Sequence, residues 1–212
     1  MAGCILLDMF EDETPPVFSR RSIVATALST ASLVPLAALS AAPPATESAF
    51  APAQLHLIEA VVDRLIPSDE LGPGARECGV ATYIDRSFAG ALAAQKTSFG
   101  TGLAAIDALA QSQYGAVFAD VDAARQDALL TAMEQNQASG FEPNSRAFFY
   151  RVRQLTWEGM FGDPFYGGNR DFAGWDLIRY PGPRMAVSPD EQRIREPIQP
   201  LRVSARGGRH GN

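Results

Sequence analysis

The chain has 212 residues, 46% hydrophobic and 20% charged, which is ordinary globular composition and enough for one sizeable core but not for two large domains. Eighteen Lys and Arg against 24 Asp and Glu leave a net charge of −6. The summed field therefore repels a phosphate backbone, and nucleic acid is excluded as a partner. Two cysteines, Cys4 and Cys78, and two histidines, His56 and His210, leave no thiolate set for zinc, an iron–sulfur cluster or haem attachment.

The N-terminal segment reads as an address. Residues 19–25 are Ser-Arg-Arg-Ser-Ile-Val-Ala, and an uncharged run from Ile23 to Leu39 leads to Ser40-Ala41-Ala42. The Arg20-Arg21 pair, the weakly apolar run and the small residues together read as a twin-arginine signal peptide over 1–40. Thr26, Ser29, Thr30, Ser32 and Pro35 make the run too polar, and its length makes it too short, for a comfortable membrane span. Ala38 and Ser40 satisfy the small-x-small rule, so the expected mature start is Ala41. Cys4 has no hydrophobic region before it, which removes a lipoprotein reading. Asp8, Glu11, Asp12 and Glu13 are odd in a positive n-region, so translation starts at Met1 or at Met9, and either start keeps the address.

A Pro/Ala linker over 41–52 precedes the body. Leu55, Ile58, Val62 and Leu65 then predict a first helix, opened by Pro52 and ended by Pro67, with His56 about 100° from Leu55 and half-exposed. Any nucleophile–histidine relay would have to be built on His56. After the turn Leu71-Gly72-Pro73-Gly74, Val80, Tyr83, Ile84 and Phe88 predict a second helix. Leu103, Ile106, Leu109 and Ala110 mark a third. Leu129, Leu130 and Met133 mark a fourth, capped by Asp120 or Asp122. A fifth runs from Ser145, its expected cap, through Phe148, Val152 and Leu155 to Gly159. No alternating apolar run is long enough for a sheet. The predicted fold is all-α, a small irregular bundle of about five helices over 53–183, with a long ordered Gly/aromatic loop after the last helix. From Arg184 to the end, six arginines face three acids with almost no apolar period, and 184–212 reads as an Arg-rich disordered tail.

Residues 148–180 hold ten of the chain's 19 aromatics, both tryptophans included. The stretch from Gly162 to Asp171 is broken by Pro164 and the Gly167-Gly168 pair, yet it is too aromatic for a solvated loop. It packs either on its own helices or against a partner, for which Trp157, Phe161, Asp163, Phe165, Tyr166, Asn169, Arg170, Trp175 and Tyr180 form the candidate interface. Gly167-Gly168-Asn169 lacks the lysine and the strand-to-helix setting of a phosphate cradle. Asp63, Asp69 and Glu70 around Pro67, and Asp163 and Asp171 around the aromatic loop, could be paired for acid–base work or supply oxygen ligands to a cation, against the plainer account in which they cap helices and hold turns. Once Cys4 leaves with the signal, Cys78 is a single thiol, either buried and inert or bridged to another chain.

The run Val62-Asp63-Arg64-Leu65-Ile66-Pro67-Ser68-Asp69-Glu70-Leu71-Gly72-Pro73-Gly74 to Cys78-Gly79-Val80, followed by Tyr83-Ile84-Asp85, resembles the gluconate 2-dehydrogenase subunit 3 family. Phe148-Phe149, Thr156 through Pro164, Tyr166-Gly167-Gly168-Asn169-Arg170 and Gly174-Trp175 to Tyr180-Pro181-Gly182 are similar to that family's other hallmark. With the twin-arginine address, the resemblance spans residues 19–183 and leaves the tail outside it.

The resemblance implies a non-catalytic small subunit of a membrane-bound dehydrogenase acting on sugars, sugar acids or polyols. FAD would sit in the large subunit, and haem c in a cytochrome c subunit where the complex has one, with no cofactor and no catalytic residue in this chain. It also accounts for the address, since a small subunit bound to a folded flavoprotein would carry it through the Tat translocase to the periplasm. There the complex would be membrane-associated through its other subunits. Two other classes compete: a stand-alone Tat-exported periplasmic enzyme using Asp163, Arg170 and Asp171, and a module that binds a small ligand with the Gly/aromatic loop.

Overall fold

The computed structural model describes residues 47–193 and 198–206. Arg20, Arg21 and the whole signal segment lie outside the described residues. Within the described residues there are six α-helices and no strand: α1 Pro52–Leu65, α2 Val80–Ala89, α3 Lys96–Tyr114, α4 Ala123–Glu134, α5 Ser145–Phe161 and α6 Ala173–Leu177. None is long and apolar enough to cross a membrane.

Helix boundaries follow local chemistry. Pro52 occupies the first turn of α1, where its missing N–H costs nothing, and the Ala51 N–H donates to Gln54 Oε1 at 3.1 Å. The helix ends just before Pro67, the expected breaker. Asp122, not Asp120, caps α4 by accepting from the Arg125 N–H at 3.0 Å. The cap of α5 differs from expectation. Asn144 fills that role, accepting from the Ala147 N–H at 2.9 Å, whereas Ser145 is already the first helical residue. Ser145 is fully buried and its hydroxyl donates to the Met133 carbonyl at 3.2 Å, tying the start of α5 to the end of α4. Two adjacent cap-forming side chains cannot be ranked from sequence, because the inward one is claimed by a carbonyl of another helix.

Helix α1 lies against α2, α3, α4 and α5. Its buried residues are Leu57, Ile58, Val61 and Val62, with Leu55 and Leu65 half-buried beside them. The inward face is thus rotated slightly from the expected stripe, because neighbours on several sides cover more than one row of side chains. His56 is exposed. A run of phenylalanines joins the other helices. Phe88 of α2 stacks on Phe99 of α3 at 4.4 Å, Phe99 meets Phe148 of α5 at 5.3 Å, and Phe148 meets Phe141 at 5.7 Å.

Phe50, inside the Pro/Ala stretch, joins this cluster with its ring 5.3 Å from Phe88 and only 4% exposed. Asp85 of α2 holds the approach in place. One of its carboxylate oxygens accepts from the Ser48 hydroxyl and from the backbone N–H groups of Ala49 and Phe50 at 2.8–3.1 Å. The bidentate pair between Arg64 and Asp127, at 2.8 and 2.7 Å, links α1 to α4. All these helices leave the C-terminal turn of α5 as the platform on which the Gly/aromatic segment is built.

Candidate functional site

The loop after α5 contains two 3-10 turns, Pro164–Tyr166 and Arg170–Phe172, before the short helix α6. The sequence reading anticipated an ordered loop here but not α6, whose five residues are too few to show a period. Asp163 opens the first turn, accepting from the Phe165 N–H at 2.9 Å. Its other oxygen accepts from the Ala205 N–H at 2.7 Å.

A helix that ends beneath other protein leaves carbonyls without partners, and the loop supplies them. Asn169 is fully buried; its amide donates to the Gly162 carbonyl at 2.8 Å and accepts from the Gly174 N–H at 2.9 Å. Trp175, 6% exposed, donates its indole N–H to the Phe161 carbonyl at 2.8 Å. The Arg170 N–H donates to the Cys78 carbonyl at 3.0 Å, which ties the loop to the residues that lead into α2. Gly168 and Gly174 permit this close fit. A Cβ at Gly168 would lie 2.1 Å from the Gly159 carbonyl oxygen, and one at Gly174 would lie 1.9 Å from that of Met160.

Backbone strain is concentrated in the same segment. Asn169, Asp171, Phe172 and Arg179 all have φ between 45° and 62°. Left-handed geometry costs such residues roughly 1–2 kcal/mol each, and it persists only where the surroundings over-determine it. The buried Asn169 bridge and the ring contacts of Phe172 with Trp175 at 5.3 Å and of Trp175 with Tyr180 at 4.8 Å supply that constraint. The result is a rigid, pre-shaped segment.

The candidate interface residues divide into two groups. Asn169 and Trp175 point inward and hold the loop together. Trp157 is 52% exposed, Tyr166 44% and Tyr180 38%, while Arg170 is also exposed and Phe161, Asp163 and Phe165 are half-buried. Two further residues extend the outward set. Tyr150 and Arg153 lie two turns and one turn before Trp157 on α5, and the Arg153 guanidinium sits 4.4 Å from the Tyr150 ring centre and 5.0 Å from that of Trp157. Their spacing of three and four residues was legible as a helical stripe, but it was overshadowed by the buried stripe of Phe148, Val152 and Leu155.

Two of the acidic residues named above, Asp69 and Asp163, serve the backbone. Asp69 accepts from the Leu71 N–H at 2.8 Å in a tight turn, and Asp163 holds a turn and the C-terminal segment. Asp171 and Glu70 are exposed, and Asp63 is half-buried. Among the described residues no group of three or more His, Cys, Asp or Glu side chains is placed to hold a metal ion. Cys78 is buried, and burial pushes its thiol above the usual range, with Glu77 adding to that and Arg170 opposing it. Such a thiol carries little of the nucleophilic thiolate. Beside the loop the half-buried Tyr83 hydroxyl donates to Glu158 at 2.9 Å, with the exposed Gln154 donating to the same carboxylate at 2.8 Å.

The arrangement therefore offers a rigid aromatic surface and backbone-holding carboxylates. Comparison with known proteins agrees with a subunit role. The family model described as Gluconate 2-dehydrogenase subunit 3 matches residues 52–182, more than half of the chain, from the first residue of α1 to the end of the aromatic segment. Neither a curated protein nor a solved structure matches the chain.

Proposed function

Because the chain belongs to the gluconate 2-dehydrogenase subunit 3 family, we propose that it is the non-catalytic small subunit of a periplasmic FAD-dependent dehydrogenase complex acting on gluconate, another sugar acid, a sugar or a polyol. In this reading FAD, and haem c where a cytochrome subunit is present, belong to partner subunits, and the complex meets the membrane through them. The small subunit carries the twin-arginine address and chaperones the folded flavoprotein through the Tat translocase.

The observation that carries the reading is the family match over 52–182, which covers both sequence hallmarks and the whole aromatic segment. The outward aromatics support it: Tyr150, Trp157, Tyr166 and Tyr180 are held on a rigid frame, and rings with few rotatable bonds lose little entropy on docking.

Co-expression of the tagged chain with a candidate FAD-containing large subunit from the same genome tests this. The expected result is a stable complex with bound flavin and periplasmic sugar-acid or polyol oxidation that disappears when the small subunit is deleted. Turnover by the isolated chain would establish the stand-alone enzyme instead, and binding of a small sugar without any flavoprotein would establish the binding module.

A further inference from the structure

The described C-terminal segment, residues 198–206, lies beyond the matched family region and returns to the aromatic loop. The Leu201 N–H donates to the Pro181 carbonyl at 3.0 Å, and the Ala205 N–H donates to Asp163 at 2.7 Å. Arg202 pairs with Asp176 of α6. Arg206 donates to the Tyr166 hydroxyl at 3.0 Å, with its guanidinium 5.6 and 5.7 Å from the ring centres of Phe165 and Tyr166. Gly182 makes room for the segment, since a Cβ there would stand 2.2 Å from the Leu201 carbonyl oxygen.

The chemistry of these contacts is one-sided. The segment brings two cations and backbone donors, while the loop brings two carboxylates, a phenol and aromatic faces. Leu201 stays 42% exposed, Ile198 and Val203 are half-buried, and the Arg202–Asp176 pair is largely in solvent, so no fully buried apolar side chain anchors the segment. Exposed ion pairs hold weakly and are screened by salt. The segment is seated by specific recognition but not locked.

We propose that this face of the loop is a docking surface for an extended arginine-bearing segment, that residues 198–206 occupy it in cis as a strap, and that binding of the large subunit displaces the strap. The displacement rests on the subunit reading; the cis occupancy does not. The Arg206 guanidinium lies against the Phe165 and Tyr166 rings, leaving Tyr166 44% exposed, and a partner that buries both rings fully must move Arg206 first. Asp163 and Asp176 then become available to cations of that partner.

The test is hydrogen exchange of the full chain by mass spectrometry, alone and co-expressed with the FAD-containing subunit. In the free chain the amides of Leu201 and Ala205 are expected to exchange at least about tenfold more slowly than in an unstructured peptide, as bonded amides do. The double variant Arg202→Gln/Arg206→Gln, and separately Asp176→Asn, should lose that protection at unchanged melting temperature. A labelled peptide of residues 198–206 should bind the double variant and not the original chain. Unprotected amides in the free chain, or equal peptide binding by both chains, overturn the strap. In the complex, protection of 198–206 should vanish; a complex in which it persists overturns displacement. Failure to form any complex refutes the subunit reading, and displacement with it, while the free-chain measurements still decide the strap.

Discussion

The indole N–H of Trp175 donates to the main-chain carbonyl of Phe161 at 2.8 Å, so a side chain fourteen residues downstream closes the C-terminal end of α5. The bond makes Trp175 a fastening of the loop, and its ring is 6% exposed. Trp175→Ala should lower the unfolding free energy of the chain by about 3–5 kcal/mol, the usual loss for a large buried aromatic. Trp175→Phe keeps most of the apolar contact but orphans the carbonyl and should lose about 1–3 kcal/mol. Urea unfolding of the two variants checks the order, and a Trp175→Phe chain as stable as the original would show that the hydrogen bond contributes nothing.

Trp157 tests the opposite face. It is 52% exposed on α5, so Trp157→Ala should change the stability of the isolated chain by no more than about 0.5 kcal/mol. If the outward aromatics meet the flavoprotein, the same variant should weaken its capture by about 2 kcal/mol, close to thirtyfold. Tyr150→Ala, on the same stripe, should follow it. Calorimetric melting and a titration against the FAD-containing subunit read both quantities, and normal capture would move the docking surface to the turn between Pro67 and Arg76.

Gly102 and Gly100 stand two residues apart on α3 and should respond with opposite sign. A Cβ at Gly102 would lie 2.1 Å from the Phe148 ring, so alanine there must push α3 and α5 apart and should cost about 1–3 kcal/mol despite its better helix propensity. At Gly100 the nearest atom would be 3.5 Å away, on the flexible Gln54 side chain. Gly100→Ala should stabilise by about 0.5–1 kcal/mol. Thermal unfolding of both variants checks the pair.

The Tyr83–Glu158 bond predicts an alkaline limit. Burial, then the hydrogen bond to Glu158, push the Tyr83 phenol above its ordinary value of 10.0. Below about pH 10 the phenol is protonated in both folded and unfolded chains, and its contribution is fully present. Above that pH the unfolded chain releases the proton more readily, so stability falls as pH rises toward the folded value. Tyr83→Phe should remove this component of the decline, and denaturation curves between pH 8 and pH 11 for both chains would expose a failure as two parallel slopes.

The arginine pair at residues 20 and 21 carries the export proposal. Replacing both with lysine should leave the small subunit and its flavoprotein in the cytoplasm, with periplasmic dehydrogenase activity reduced to background. Fractionation of cells expressing the variant checks it, and undiminished periplasmic activity would sink the twin-arginine route.

The helices were legible in the sequence because their signals are local. Apolar residues spaced by three and four, Pro52 and Pro67 at the ends of α1, and Asp122 before α4 each act within a turn or two of the backbone they organise. The family hallmarks were legible for a similar reason, since both are contiguous stretches. Tertiary structure alone decided which way the loop aromatics face. Tyr166 and Trp175 are aromatics of the same loop nine positions apart, yet one is exposed and the other is buried. An irregular loop has no period to assign its faces; there, burial is set by which distant backbone groups need partners. The carbonyls of Phe161 and Gly162 at the end of α5 claimed Trp175 and Asn169, and the carboxylates of Asp163 and Asp176 drew an arginine-bearing segment from beyond the family region.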